Sequence, residues 1–340
     1  MLSKIIDEHL VHEAARLIDR SSHIVITCHM GPDGDAIGSS LAMLHFLQSL
    51  EKDDVHVIVP NTYPDFLAWM PQAGQIINYE SQTEQADQLI SRADLIVCLD
   101  FNTLKRLGKM SEAVSRSTAC RMLIDHHIDP QIQAEVAISY PLLAATCELV
   151  FRLICRMGCF EQMNKSIAEC IYTGLMTDTG NFSYNSSNPE LYTIVAELLT
   201  FGIDKDQIYQ HVFHTYSADR MRLMGYCMYS KMKYLPRYHT AVIALNATEL
   251  RRFHFQSGDA EGIVNLPLQI RDVTFSILMR EDKEKIKISL RSQGDFAVND
   301  IAARLFSGGG HKNAAGGESY DSLEATVKRL MDALPEICPK

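Results

Sequence analysis

The stretch TCHMGPDGDAIGSS, residues 27–40, sets His29, Asp33 and Asp35 close together just after the apolar run at 23–26. A histidine and two carboxylates at the mouth of a buried strand have two readings. Asp33 or Asp35 can N-cap the following helix, because a short acidic side chain accepts from its free amides. Alternatively, the three residues are half of a metal site. The pattern recurs along the chain. Asp100 ends LIVCLD, Asp125, His126 and His127 end CRMLIDHH, and Asp178 follows the helical stretch GLMT. Each residue alone has a plain structural account as a cap, a turn or a surface group. Taken together, apolar strands that end in bare carboxylates gather like charges in one crevice, and that is costly unless cations neutralise them. Mixed imidazole and carboxylate donors suit manganese, iron or zinc, with Mg²⁺ less well matched to histidine. The set exceeds what one open catalytic ion takes. It suits two ions that share a carboxylate at about 3.5–4 Å, the arrangement used on phosphate esters.

These residues need a scaffold that brings strand ends together. HIVITC (23–28), DVHVIVP (54–60), LIVCLD (95–100) and CRMLIDHH (120–127) read as strands, and AIGSSLAMLHFLQSL and residues 84–92 read as helices between them. That alternation predicts a parallel sheet with crossover helices. Ligands of such sheets collect at the carboxyl ends of the strands. LAATCELVFRLICRMG and MNKSIAECIYTGLMTDTG read as two helices, and residues 188–233 read as helical. The pattern then changes. HTAVIALN, VTFSILMRED and KIKISLRS read as strands, the last two as a hairpin about Asp282–Lys283, with helices near 298–306 and 322–335. The expected fold class is α/β: a parallel-sheet domain with flanking helices over 1–190, a helical connector over 191–235, and a smaller α+β domain over 236–340. The active site is expected in the cleft between the domains.

The 340 residues suit two domains, and 46% hydrophobic with 22% charged residues is a soluble globular composition. No apolar run is long enough to span a bilayer. The charged N-terminal residues read as an amphipathic helix, so a cytoplasmic location is the default. Nine scattered cysteines show no zinc spacing and argue for reduced thiols. Cys28 and Cys98 lie inside the expected strands as core thiols. A net charge of −10 disfavours a grip on long nucleic acid, but not on a short anionic ligand held by cations and a few Arg or His residues.

HMGPDGDAIGS, LDFNTLKRLG, IDHH and GLMTDTGNF resemble the four motifs of the DHH phosphoesterases, and GGGHKNAAGG with ISLRS resembles the DHHA1 domain that accompanies one branch. The resemblance runs in order along essentially the whole chain and is strongest to the nano-RNase and pAp phosphatase group. It implies that His29, Asp33 and Asp100 hold one Mn²⁺, and that Asp35, Asp100, His126 and Asp178 hold a second, with Asp100 bridging. Mg²⁺ or another divalent ion is the alternative. A water or hydroxide between the ions would be the nucleophile. His127 would sit near the scissile phosphate, and Asp125 would orient the ligand histidine. The family often has Asn where this chain has Gly31.

GGGHKNAAGG, residues 308–317, reads on composition as a linker or as a phosphate cradle, since glycine amides approach an anion closely. Arg291 ends KIKISLRS and is suited to a bidentate phosphate contact. By the resemblance, Arg291, Ser292, Gly309, Gly310 and His311 hold the far end of the substrate. Arg106, six residues after Asp100, is either a phosphate contact or a surface arginine. The expected activity is hydrolysis of short RNA to mononucleotides and of 3′-phosphoadenosine 5′-phosphate to AMP. Cyclic dinucleotides or linear pApA are the rival substrates, and a nucleotide-binding protein without catalysis is the third reading. No membrane partner is expected, and a homodimer is left open.

Overall fold

The computed structural model describes residues 2–256 and 258–338, and the chain divides into two compact units after Thr215. In the first unit the strands are β1 (Ile24–Thr27), β2 (Val55–Val59), β3 (Ile77–Asn78), β4 (Leu95–Leu99), β5 (Cys120–Asp125) and β6 (Val136–Ser139). The helices are α1 (Glu8–Arg20), α2 (Gly34–Ser49), α3 (Thr83–Arg92), α4 (Ser111–Arg116), α5 (Thr146–Arg156), α6 (Lys165–Asp178), α7 (Pro189–Thr200) and α8 (Lys205–Phe213). The sheet order is β3-β2-β1-β4-β5-β6, and every pairing is parallel. The chain steps outward from β1 to β3, returns, and steps outward the other way from β4 to β6. The order therefore reverses between β1 and β4, and there the loops after the two strands diverge and leave a crevice.

Alternate residues along the strands face opposite layers. Ile24, Ile26, Leu95, Val97 and Leu99 pack under α2, α5 and α6, while Val25, Ile96, Cys98 and Leu123 pack under α3 and α4. Burial on both faces explains why these strands are continuous apolar runs. The strands β3 and β6 were not evident in the sequence. Both lie at sheet edges and are short.

Two glycines fix how closely α2 meets α6. A Cβ on Gly38 would lie 2.6 Å from the Cys170 carbonyl oxygen, and one on Gly174 would strike Cys147 Sγ and lie 2.9 Å from Asp35 Oδ1. Only hydrogen at these positions lets the helix that carries Asp35 in its first turn reach the one that ends with Asp178.

The second unit holds α9 (Ala218–Tyr226), β7 (Lys233–Leu235), β8 (Thr240–Leu245), α10 (Ala247–Arg252), β9 (Phe275–Asp282), β10 (Lys285–Ser292), α11 (Val298–Phe306), β11 (Gly309–His311), β12 (Ala314–Ser319) and α12 (Leu323–Ile337). Its sheet order is β11-β12-β10-β9-β8-β7, with β8 and β9 parallel and the other pairs antiparallel. The helices α11 and α12 cover one face, and α9 with residues 263–264 covers the other. The glycine run is neither a linker nor an open loop but the hairpin β11–β12. A Cβ on Gly308 would collide with the Gly316 carbonyl, so the glycines permit close strand approach.

Gly38→Ala should lower stability. Overpacking costs about 1–3 kcal/mol, more than the roughly 1 kcal/mol of helix propensity that alanine recovers. A lower urea midpoint with an unchanged slope is the expected result.

Candidate metal centre

The six expected ligands, His29, Asp33, Asp35, Asp100, His126 and Asp178, meet at the reversal point of the first sheet. His29 lies two residues beyond β1, Asp100 directly follows β4, and His126 directly follows β5. Asp100 has φ of 64°, in the left-handed region that Asp tolerates better than most residues. Its amide donates to the Ile124 carbonyl at 3.2 Å, which ties the turn to the next strand.

The capping reading of the first motif holds, and the other carboxylate oxygen of the same residue is left facing the histidine. Asp33 is the N-cap of α2, its Oδ1 accepting from the amides of Asp35 at 3.1 Å and Ala36 at 3.0 Å. Its Oδ2 lies 3.7 Å from His29 Nε2. Asp35, in the first turn of α2, is fully buried.

Asp100 presents one oxygen to each side. Oδ2 lies 3.3 Å from His29 Nε2, and Oδ1 lies 3.5 Å from His126 Nε2. His126 Nε2 is also 3.5 Å from Asp178 Oδ2 and 3.9 Å from Asp35 Oδ2. Three groups in this unit can each direct donor atoms at one point: His29, Asp33 and Asp100; Asp35, Asp100 and His126; and Asp100, Asp125 and His127, the last already joined by the Asp125–His127 hydrogen bond. They share Asp100.

The donor chemistry fits cations. His29 Nδ1 faces the Met30 carbonyl at 3.1 Å and His126 Nδ1 faces the Leu143 carbonyl at 3.2 Å, so each ring turns Nε2 into the cluster. Backbone carbonyls behind ligating imidazoles are the usual outer support of a metal site. Without a cation, protons must sit between imidazole and carboxylate. Burial pushes the His29 imidazole down, but Asp100 and Asp33 outweigh it and raise the pKa to about 10. Burial opposes Asp178, Asp100 and Asp35 at His126, and the acids win, raising it to about 9. Asp35 lies well above the carboxylate range through burial and the charges of Asp100 and Asp178. Asp100 is held well below that range, because the imidazoles, led by the His29 hydrogen bond, overcome its burial. Divalent cations would replace these protons.

Asp125 differs from the role implied for it. Its Oδ1 bonds His127 Nδ1 at 2.7 Å, while the Leu143 carbonyl serves the ligand-side His126. Arg106 Nη1 lies 2.8 Å from His127 Nε2, which joins Arg106 to the site instead of leaving it on the open surface. With Arg106 donating there, the His127 proton belongs on Nδ1, facing Asp125. Gly31 has φ of 70°, a conformation open to Gly and Asn alike, and its amide donates to Asn61 Oδ1 at 2.6 Å.

In the second unit, Arg291, Ala314 and His311 stand opposite one another across β10, β12 and β11, and share a sheet face. Gly309 and Gly310 precede His311 on β11 and pair with Gly316 and Ala315. Ser292 is nearly buried. Its hydroxyl donates to the Phe296 carbonyl at 2.5 Å and accepts from Asn313 Nδ2 at 2.8 Å. Asn313 also reaches the Gly294 carbonyl at 3.1 Å, and it braces this corner in a way composition did not signal.

Both units match known domains. A family model described as the N-terminal domain of the DHH family matches residues 23–175, and a DHHA1 domain model matches 239–338. A crystal structure described as an exopolyphosphatase-related protein from Bacteroides fragilis has a TM-score of 0.94 to this chain at 51% identity, covering 98% of each. The chain belongs to the DHH family. With its DHH and DHHA1 domains it is a phosphoester hydrolase. Among curated DHH relatives, the bifunctional oligoribonuclease and PAP phosphatase NrnA of Thermus thermophilus is 28% identical, over 96% of this chain and 93% of its own. The cyclic-di-AMP phosphodiesterase GdpP of Bacillus subtilis is 26% identical over 96% of this chain, which matches 49% of the length of GdpP. Among the described residues, no helix is long and apolar enough to cross a membrane.

The raised imidazoles set the pH dependence of the metal-free protein. A folded pKa above the unfolded value contributes stability that is full below about 6.5 and is lost as pH rises through the folded value. Asp35 acts in the same direction from a lower starting pH. In chelator, the urea midpoint should fall as pH rises from 6.5 through about 9 and 10, the His126 and His29 values. A midpoint constant over that range would contradict this electrostatic account.

Proposed function

We propose that this DHH-family hydrolase uses two divalent cations, Mn²⁺ by donor preference, to cleave short RNA to mononucleotides and to convert 3′-phosphoadenosine 5′-phosphate to AMP. The observation that carries the proposal is Asp100, one buried carboxylate whose two oxygens face two separate donor groups. His29, Asp33 and Asp100 would hold one cation, and Asp35, Asp100, His126 and Asp178 the other. Such a pair supplies Lewis-acid neutralisation of phosphoryl oxygens and acidifies a water for in-line attack.

The chain's own groups do the rest. Asp125 holds the His127 proton at Nδ1 and so fixes the ring. The Arg106 fork carries N–H donors beyond the one facing His127 and offers them to a phosphoryl oxygen. Arg291 and His311 are assigned to the substrate's far phosphate or base, with Ser292, Gly309 and Gly310 shaping that corner of the second unit. The site is assigned to a short ligand because the net charge of −10 offers little to a long polyanion. By its composition and the NrnA relationship, the protein is assigned to the cytoplasm.

A second reading, cleavage of cyclic dinucleotides or linear pApA, is favoured by the relationship to GdpP. Product analysis with Mn²⁺ over pAp, pApA, c-di-AMP, polyphosphate and 5′-labelled RNA of two to twenty-four nucleotides separates the readings. The expected result is mononucleotides from the shortest RNAs, AMP from pAp, and slow turnover of the longest RNA. A strong preference for pApA or c-di-AMP would establish the second reading. Asp100→Ala should lower turnover more than about 100-fold, beyond the usual range for losing an outer-shell partner. Turnover near wild type would remove Asp100 from the mechanism.

A further inference from the structure

We infer that Thr146 is a positioning residue for the metal-holding carboxylates, fixing Asp100 through its hydroxyl and Asp35 through its main-chain amide. This rests on the two-cation reading above and names a residue outside that ligand set.

A carboxylate rotates easily about its last torsion. Asp100 can serve two cations only if its oxygens are kept apart in orientation. Thr146 is fully buried, and its Oγ1 donates to Asp100 Oδ1 at 3.0 Å, the oxygen on the His126 side. Its place in the helix makes that proton available. Threonines inside a helix usually turn their hydroxyls back to a carbonyl one turn earlier. Thr173 and Thr177 of α6 do so, donating to the carbonyls of Glu169 and Thr173. Thr146 is the first residue of α5 and has no preceding helical turn, so its hydroxyl reaches across to Asp100.

The same helix start anchors Asp35. The residue before it, Ala145, offers no side-chain cap. The free amides of Thr146 and Cys147 donate instead to Asp35 Oδ2 at 2.6 Å and Oδ1 at 2.9 Å. One carboxylate from α2 therefore caps α5, and the cap holds both of its oxygens in place. The segment is secured from behind, because Glu148 Oε2 accepts from the Ala144 amide and Glu148 Oε1 is bonded by Arg152. Thr146 thus sits where two carboxylates of the second cation group are held at once.

The test is Mn²⁺ titration calorimetry on the full chain, alongside steady-state kinetics, for wild type, Thr146→Val, Thr146→Ser and Asp100→Ala. Thr146→Val should weaken at least one Mn²⁺ by about 10–100-fold, the range for outer-shell partners, and should lower kcat. Thr146→Ser keeps the hydroxyl and should stay within a few-fold of wild type in both readouts. In the Asp100→Ala background, Thr146→Val should add little, because the partner is already gone. If the valine variant fails to fold by circular dichroism, the comparison of Thr146→Ser with Thr146→Ala decides in the same way. Wild type that binds no Mn²⁺ would overturn the two-cation reading and this inference with it. Wild type that binds two Mn²⁺, with Thr146→Val matching its affinities and kcat, would overturn this inference alone. Equal losses in the serine and valine variants would also overturn it.

Discussion

Asp35, Asp100 and Asp178 converge on His126 where the strand order reverses, and the first two are almost wholly shielded from water. Like charges so placed repel strongly in a poorly solvated crevice. Protons on His29 and His126 offset that repulsion in the metal-free chain, and two divalent cations would do so in the proposed metal-bound state. Much of the first unit is arranged so that this unfavourable cluster can persist. The apolar layers on both sheet faces provide the stability, and the strand ends carry the charge. Sites that cost stability locally in this way are commonly functional ones.

Three local devices hold the cluster in register. The left-handed turn at Asp100 swings its carboxylate off the end of β4. The glycines at 38 and 174 let α2 and α6 approach closely enough that Asp35 and Asp178 face the same histidine. The start of α5 then takes its missing cap from Asp35 and lends a hydroxyl to Asp100. None of these devices adds a charged residue beyond the cluster itself. Each uses backbone conformation, the absence of a Cβ, or a helix end.

The sequence carried the site better than it carried the sheet edges. His29, Asp33, Asp35, Asp100, His126 and Asp178 could be read because each follows an apolar run or a helix whose period is clear. The strands β3, β6, β7 and β11 are two to four residues long and too short to show a period. The glycine run at 308–317 was ambiguous on composition, and its hairpin depends on pairing with β10, a contact remote in sequence. Thr146 gave no signal, because the helical pattern runs back through Leu143–Ala145 and hides the true start of α5 at Thr146. The role of Asn313 depends on a contact some twenty residues back along the chain, which spacing does not reveal, and the pairing of Asp125 with His127 is local but turns on which of two adjacent histidines faces the carboxylate.

The central claim is that one carboxylate is shared by two cations at the reversal point of the first sheet. Crystals soaked in MnCl₂, with data collected at the manganese absorption edge, test it most directly. The account predicts two anomalous peaks about 3.5–4 Å apart, with Asp100 between them, one beside His29 and Asp33 and the other beside Asp35, His126 and Asp178. A single peak, or peaks that leave Asp100 on one ion only, would contradict it.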